Sequence, residues 1–68
     1  MIDTNELKGL IAKQGLHQTD VAKAIGITPK TFYEKMKKGV FGSDEMEKMI
    51  IILKIENPEK IFFSQKVT

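Results

Sequence analysis

Apolar residues recur along the chain at the 3.6-residue spacing of helices, and glycine and proline divide the pattern into short segments. The first segment opens with Asp3-x-x-Glu6, a capping-box pattern, and continues with an apolar stripe that begins at Leu7 and Leu10. Gly15 is expected to end it, because glycine adopts a left-handed C-terminal conformation without steric cost. The pattern therefore predicts a first helix between Asp3 and Gly15.

A second helix is predicted over about residues 18–25 and a third over about 29–38. Gly26 ends the second helix. Thr28 suits the N-cap of the third helix, and Pro29 suits its first position. The two helices are therefore joined by a turn of only three residues, the spacing typical of a helix-turn-helix.

The remaining pattern predicts a fourth helix and a short fifth one. Ser43 or Asp44 would cap the fourth helix, Asp44-x-x-Glu47 offers a second capping box, and the helix would reach about Lys54. Asn57-Pro58 repeats the signal of a cap followed by proline, and the tail after the fifth helix favours an extended conformation. The expected fold class is all-α: a single small domain of four helices and a short fifth, without a central sheet.

Length and composition exclude several classes of protein. Sixty-eight residues make one small domain, and the absence of cysteine excludes a disulfide scaffold and thiolate metal sites. No apolar run approaches the roughly 20 residues of a membrane span, and the polar start does not resemble a signal peptide. We therefore expect a cytoplasmic protein with no membrane partner.

Catalytic chemistry has little support in the sequence. There is no glycine-rich phosphate loop, no cysteine nucleophile, and a single histidine, His17, with no evident partners. One histidine cannot build a metal site. The sequence therefore predicts a protein that is not an enzyme, with no metal, no cofactor and no small-molecule substrate.

The distribution of charge points to a partner. The net charge is +2, but residues 21–40 hold five lysines against one glutamate, whereas acidic residues outnumber lysines in the segments on either side. A basic segment of this kind is typical of a surface that meets phosphate. On charge alone, however, a lysine-rich helix face that is merely solvated is the favoured interpretation.

The stretch QTDVAKAIGITPKTF, from Gln18 to Phe32, resembles the helix-turn-helix of the phage Cro and CI repressor type, the XRE-like family of small regulators. The later helices and the ending Ile61-Phe62-Phe63 are similar to a group of short uncharacterised phage proteins. The resemblance implies a lambda-repressor-like DNA-binding domain over 1–68, whose third helix enters the major groove. The sequence departs from the family at His17, a poor cap, and at Lys35, where many relatives have an apolar residue.

The resemblance also implies which residues contact double-stranded DNA: Gln18, Thr28, Pro29, Lys30, Thr31, Tyr33, Glu34, Lys37 and Lys38. Gln18 would bond a phosphate, Lys30 would donate to guanine, and Glu34 would accept from cytosine. Pro29 can offer only an apolar contact. The candidates for phosphate neutralisation are Lys23, Lys35, Lys37 and Lys38.

Simpler explanations stay open for several of these residues. Glu34 has the spacing to pair with Lys30 or Lys38, and lysines in the last turn of a helix complement its dipole whether or not DNA is bound. Tyr33 could pack on the second helix instead of touching phosphate. Charge and spacing alone do not choose between these interpretations.

Apolar residues left over on the fourth helix and in the tail at about 61–68 suggest a dimer surface, which we assign to Ile51, Ile52, Ile55, Phe63 and Val67. A homodimer would bind a two-fold operator and act as a transcription repressor. One alternative is a protein-interaction module of the same fold, such as an antirepressor or an antitoxin-like protein. Another is a helical domain with no ligand of its own.

Overall fold

The computed structural model describes residues 2–63, which form five helices and contain no strand. The helices are α1 (Thr4–Lys13), α2 (Gln18–Ile25), α3 (Pro29–Lys38), α4 (Ser43–Ile52) and α5 (Pro58–Phe62). The all-α prediction is confirmed. Helices α2 and α3 have the predicted bounds, whereas α4 ends at Ile52 instead of reaching Lys54.

The start of α1 forms one half of the predicted capping box. The Asp3 carboxylate accepts a hydrogen bond from the backbone N–H of Glu6 at 3.1 Å. The N–H of Asp3 donates to the carbonyl of Ile61 at 2.7 Å, so it bonds α5 and not the Glu6 carboxylate. Capping of α1 and attachment of α5 therefore occur at the same residue.

The turn between α2 and α3 follows the geometry that the sequence predicts. Gly26 has a left-handed backbone with φ of 86°, which an L side chain would strain. The N–H of Ile27 then donates to the carbonyl of Ala22 at 3.0 Å. At the start of α3, Thr28 Oγ1 accepts from the N–H of Thr31 at 3.2 Å, and Pro29 occupies the first position. These local bonds fix the direction in which α3 leaves α2.

The cap of α4 differs from the prediction. The N-cap is Gly42, not Ser43 or Asp44, and the carboxylate of Glu45, not of Glu47, accepts from the cap N–H at 2.7 Å. A glycine cap carries no side chain that a sequence pattern can identify. The same carboxylate also bonds a residue of α3, described below.

The core is apolar and draws on every helix. Its buried residues are Ile2, Leu7, Ile11, Val21, Ala22, Ile25, Phe32, Met36, Phe41, Met49, Leu53, Ile55, Ile61 and Phe62. Helix α2 packs on both α3 and α4, while α1 packs on α2 and α5. The rings of Phe32 and Phe41 lie 5.3 Å apart between centroids and anchor α3 to the loop after it. No helix within residues 2–63 has the length and apolar character needed to cross a bilayer.

Candidate nucleic-acid interface

Helix α3 presents one face to the core and the opposite face to solvent. Phe32 and Met36 are buried. The exposed residues lie three, four, seven and eight positions after the first of them and so share the outer face: Lys30, Tyr33, Glu34, Lys37 and Lys38. This outer face carries three lysines and one glutamate, and the rest of the molecule does not cover it.

The first turn of α3 is held by its own hydroxyl groups. Thr28 Oγ1 donates to Thr31 Oγ1 at 2.9 Å while accepting from the Thr31 backbone. Pro29 is exposed beside them. Three of the predicted DNA contacts, Thr28, Pro29 and Thr31, therefore lie at the N-terminal end of α3, where Thr28 already has a capping function that does not require DNA.

A cleft of about 440 Å³ lies where α1, α2 and α3 meet. We call it the basic cleft, and its lining residues are Thr4, Lys8, Gln18, Tyr33, Met36 and Lys37. None of these lining residues carries a carboxylate. The cleft brings together three of the residues predicted from sequence, Gln18, Tyr33 and Lys37, although Gln18 is far from the other two along the chain.

Two residues of the basic cleft were missed by the sequence analysis. Thr4 and Lys8 lie one helical turn apart on α1, so they face the same side of that helix. Their spacing alone carries no signal for DNA binding, since many solvated helix faces look the same. Only the packing of α1 on α2 places them beside Gln18.

Lys35 is engaged within the protein. Its Nζ atom lies 2.7 Å from both carboxylate oxygens of Glu45, and both side chains are partly buried. The pair joins the last turn of α3 to the first turn of α4. The interpretation of Lys35 therefore changes from a free phosphate contact to a support for the end of α3.

The environment of Glu45 sets its protonation. Burial on its own raises the pKa of Glu45, but the hydrogen bonds from Lys35 and from the Gly42 N–H, together with the charges of Lys35 and Lys48, outweigh burial and hold the pKa below its usual value of 4.5. The carboxylate is therefore ionised at neutral pH. The support for α3 is a charged one.

Glu34 makes no such pair. Among residues 2–63, the ion pair between Lys35 and Glu45 is the only one, so the carboxylate of Glu34 is not paired with Lys30 or Lys38. Nor do three or more histidine, aspartate or glutamate side chains meet as a metal site within those residues. Glu34 remains available to an outside partner on the outer face of α3.

The family model described as bacterial regulatory protein, Fis family, matches residues 1–39. This chain belongs to that family. The matched residues run from the start of the chain through α1, α2 and α3, so they include the basic cleft and the outer face of α3. No curated protein and no solved structure matches the chain.

Family membership confirms the helix-turn-helix and makes this Fis-family chain a DNA-binding regulator. The finer resemblance to the Cro and CI type is not what the family model matched. Helices α4 and α5 lie outside the match. The helix-turn-helix signature read from the sequence covers only α2 and α3, whereas the family match also includes α1.

The predicted dimer surface of this Fis-family chain is only partly exposed. The side chain of Ile51 is 75% exposed and that of Phe63 is 66% exposed. Ile52 is half-buried against the core. The expectation for Ile55 is corrected: it is 8% exposed and belongs to the core, because the chain turns after α4 and folds it inward. Val67 lies outside the described residues.

A second cleft, of about 410 Å³, lies between α1 and the segment that joins α4 to α5. We call it the mixed cleft, because its charged lining residues have both signs: Lys13, Lys54, Lys60, Glu6 and Glu56. The Gln14 amide donates to the Leu53 carbonyl at 3.2 Å within it. Lys54 has a φ of 53°, the only positive φ outside glycine among the described residues.

Proposed function

We propose that the protein regulates transcription by binding operator DNA sequence-specifically, with α3 as the recognition helix in the major groove. The observation that carries the proposal is the outer face of α3, which is exposed along its whole length and bears Lys30, Glu34 and Lys37. A major groove about 12 Å wide admits a helix of this kind. The family match supports the DNA-binding part of the proposal.

Position along α3 divides the contacts into two kinds. Lys30 and Glu34 lie in the N-terminal half, where recognition helices reach base edges, and would read guanine and cytosine. Lys37 and Lys38 lie in the last turn, and Gln18 lies at the start of α2, where they would meet the phosphate backbone. Because every basic residue is lysine, these phosphate contacts are point charges without the planar fork of arginine.

A dimer on a two-fold operator completes the proposal. The half-sites would lie about one helical turn apart, so that both recognition helices enter the same face of the duplex. Ile51 and Phe63 are the exposed apolar residues that we assign to the dimer surface. Occupation of a promoter in the bacterial cytoplasm would then repress transcription, in the manner of the Cro type of regulator.

Selection of bound sites from a random duplex pool tests the proposal. We expect one enriched two-fold motif and an association constant that falls with salt at a slope near −0.9 for each phosphate neutralised. Lys30→Ala should change the preferred base at one position of each half-site, while Lys37→Ala should weaken all sequences alike. A protein that binds no duplex at low salt would overturn the proposal and favour the protein-interaction module.

The dimer is tested separately by sedimentation at micromolar concentration. Ile51→Lys should shift the protein from dimer to monomer and weaken operator binding. Val40→Lys is the matched control, because Val40 is also an exposed apolar residue, with 63% of its side chain accessible, and lies in the loop after α3. A wild-type protein that sediments only as a monomer would remove the dimer.

A further inference from the structure

The basic cleft links α1 to the helix-turn-helix. We propose that it clamps one phosphate of the DNA backbone between Lys8 and Lys37, so that α1 takes part in DNA binding. This inference rests on the proposed function and adds Lys8 to the interface. The proposal depends on the lining of the cleft, on the donors it offers, and on its position beside α3.

The charge of the basic cleft is unbalanced. Lys8 comes from α1 and Lys37 from α3, and none of the residues that line the cleft is acidic. Two like charges in one cleft repel each other, and the repulsion is larger near a protein surface than in bulk water. The mixed cleft has more lysines, but Glu6 and Glu56 lie among them. An anion would therefore be stabilised more strongly in the basic cleft.

The uncharged lining of the basic cleft suits a phosphate. The amide of Gln18 and the hydroxyls of Thr4 and Tyr33 are hydrogen-bond donors at its walls, and Met36 forms its buried apolar floor. A volume of about 440 Å³ accommodates a phosphate group together with several waters. The cleft therefore offers two cations and three neutral donors to a single anion.

The position of the cleft relative to α3 fits a duplex. Lys30 and Lys37 are seven residues apart, which is about 10 Å along a helix at 1.5 Å per residue. With Lys30 at a base edge, Lys37 would lie about two turns further along α3, on the side of the helix that α1 borders, and so beyond the base-reading half. A phosphate held there by Lys8 and Lys37 would fix the depth and angle at which α3 enters the groove.

The experiment compares Lys8→Ala with Lys13→Ala on the duplex that selection yields. Both changes remove one exposed lysine from α1, but Lys13 lines the mixed cleft. Lys8→Ala should lower the magnitude of the salt slope by up to about 0.9 and weaken binding about two- to fivefold at 0.15 M salt. Lys13→Ala should change affinity less than about twofold. Circular dichroism checks that both variants stay folded.

A scan with neutral methylphosphonate groups along that duplex identifies the phosphate. If one phosphate is clamped by both lysines, a single position in each half-site should abolish the effects of Lys8→Ala and of Lys37→Ala alike. Equal effects of Lys8→Ala and Lys13→Ala, or masking of the two lysines at different positions, would overturn the clamp. Either result leaves the proposed function intact, whereas absence of duplex binding by the wild-type protein would overturn that function itself.

Discussion

The two clefts of this protein have nearly the same volume and both border α1, yet they differ in the partners of their lysines. The basic cleft has two lysines and no carboxylate in its lining, and it lies beside α3. The mixed cleft has three lysines and two glutamates, and it lies beside the segment between α4 and α5. The comparison teaches that the number of lysines does not identify an anion site. The basic cleft is the better candidate because its lysines have no carboxylate beside them and because it borders the proposed recognition helix.

The largest expected effect comes from the floors of the two clefts. Leu53 is fully buried under the mixed cleft and Met36 nearly so under the basic one. Leu53→Ala should lower the free energy of unfolding by about 3 kcal/mol, close to the whole stability of so small a domain, and Met36→Ala by slightly less because methionine leaves a more adaptable site. Urea unfolding followed by circular dichroism measures both losses.

Met36→Ala and Leu53→Ala also distinguish the two clefts by function. At low temperature part of each variant stays folded, and the affinity for duplex can be corrected for that folded fraction. The corrected affinity of Met36→Ala should be lower than that of the wild type, because the change reshapes the basic cleft. That of Leu53→Ala should not be lower. Equal loss of affinity in both folded fractions would contradict the distinction between the clefts.

The next effect concerns the ion pair that supports the end of α3. Glu45→Gln should lower the free energy of unfolding by about 1 kcal/mol, because Lys35 loses a charged partner at a partly exposed position. Since folding lowers the pKa of Glu45, its stabilising contribution is present above the usual value of 4.5 and is lost as the pH falls through the lower folded value.

This difference can be measured as stability against pH. The stability of the wild-type protein should fall in that acidic window more steeply than that of Glu45→Gln. Glu47→Gln is the matched control, since Glu47 is exposed on the same helix. Parallel curves for wild type and Glu45→Gln would show that the pair contributes nothing.

A smaller effect is expected from single lysines of the two clefts. Lys37→Ala should weaken duplex binding about two- to fivefold at 0.15 M salt, the upper value being that of one whole phosphate contact, because Lys8 still holds part of it. Lys60→Ala, which removes the same charge from the mixed cleft, should change affinity less than about twofold. Fluorescence anisotropy over a salt series measures both, and a steeper loss for Lys60→Ala would reverse the assignment of the clefts.

The smallest effect concerns the rim of the mixed cleft. Lys54 has a left-handed backbone, which glycine adopts without steric cost. Lys54→Gly should raise the free energy of unfolding by about 0.5 kcal/mol, because relief of strain slightly exceeds the added chain entropy of glycine. Affinity for duplex should stay within about twofold. Thermal unfolding and anisotropy measure the two quantities, and a destabilised variant would contradict the assigned strain.

Much of the fold follows from local signals that the sequence displays directly. Gly26 with Thr28 and Pro29 determines both ends of the turn, and the end of α2 and the start of α3 were predicted from them. The prediction was wrong at the cap of α4. The cap is Gly42, and the Glu45 carboxylate bonds both the Gly42 N–H and Lys35 of α3. No pattern within α4 indicates the contact with α3.

The site divides in the same way. The exposed face of α3 follows from helical periodicity and the burial of Phe32, so its residues could be predicted. Lys8 could not be predicted, because its role depends on how α1 packs on α2. Ile55 was assigned to the surface for the same reason, since periodicity within α4 says nothing about the turn that folds the residue inward.

The backbone of the first described residues has a consequence for synthesis on the ribosome. Ile2 donates to the carbonyl of Gly39 at 3.2 Å, and Asp3 donates to that of Ile61 at 2.7 Å. A nascent chain therefore lacks a partner for Asp3 until Ile61 has emerged from the exit tunnel. That bond can therefore form only after α1, α2 and α3 have left the tunnel. The N-terminal end of α1, which borders the basic cleft, can therefore reach its final hydrogen bonding only after α5 has been synthesised.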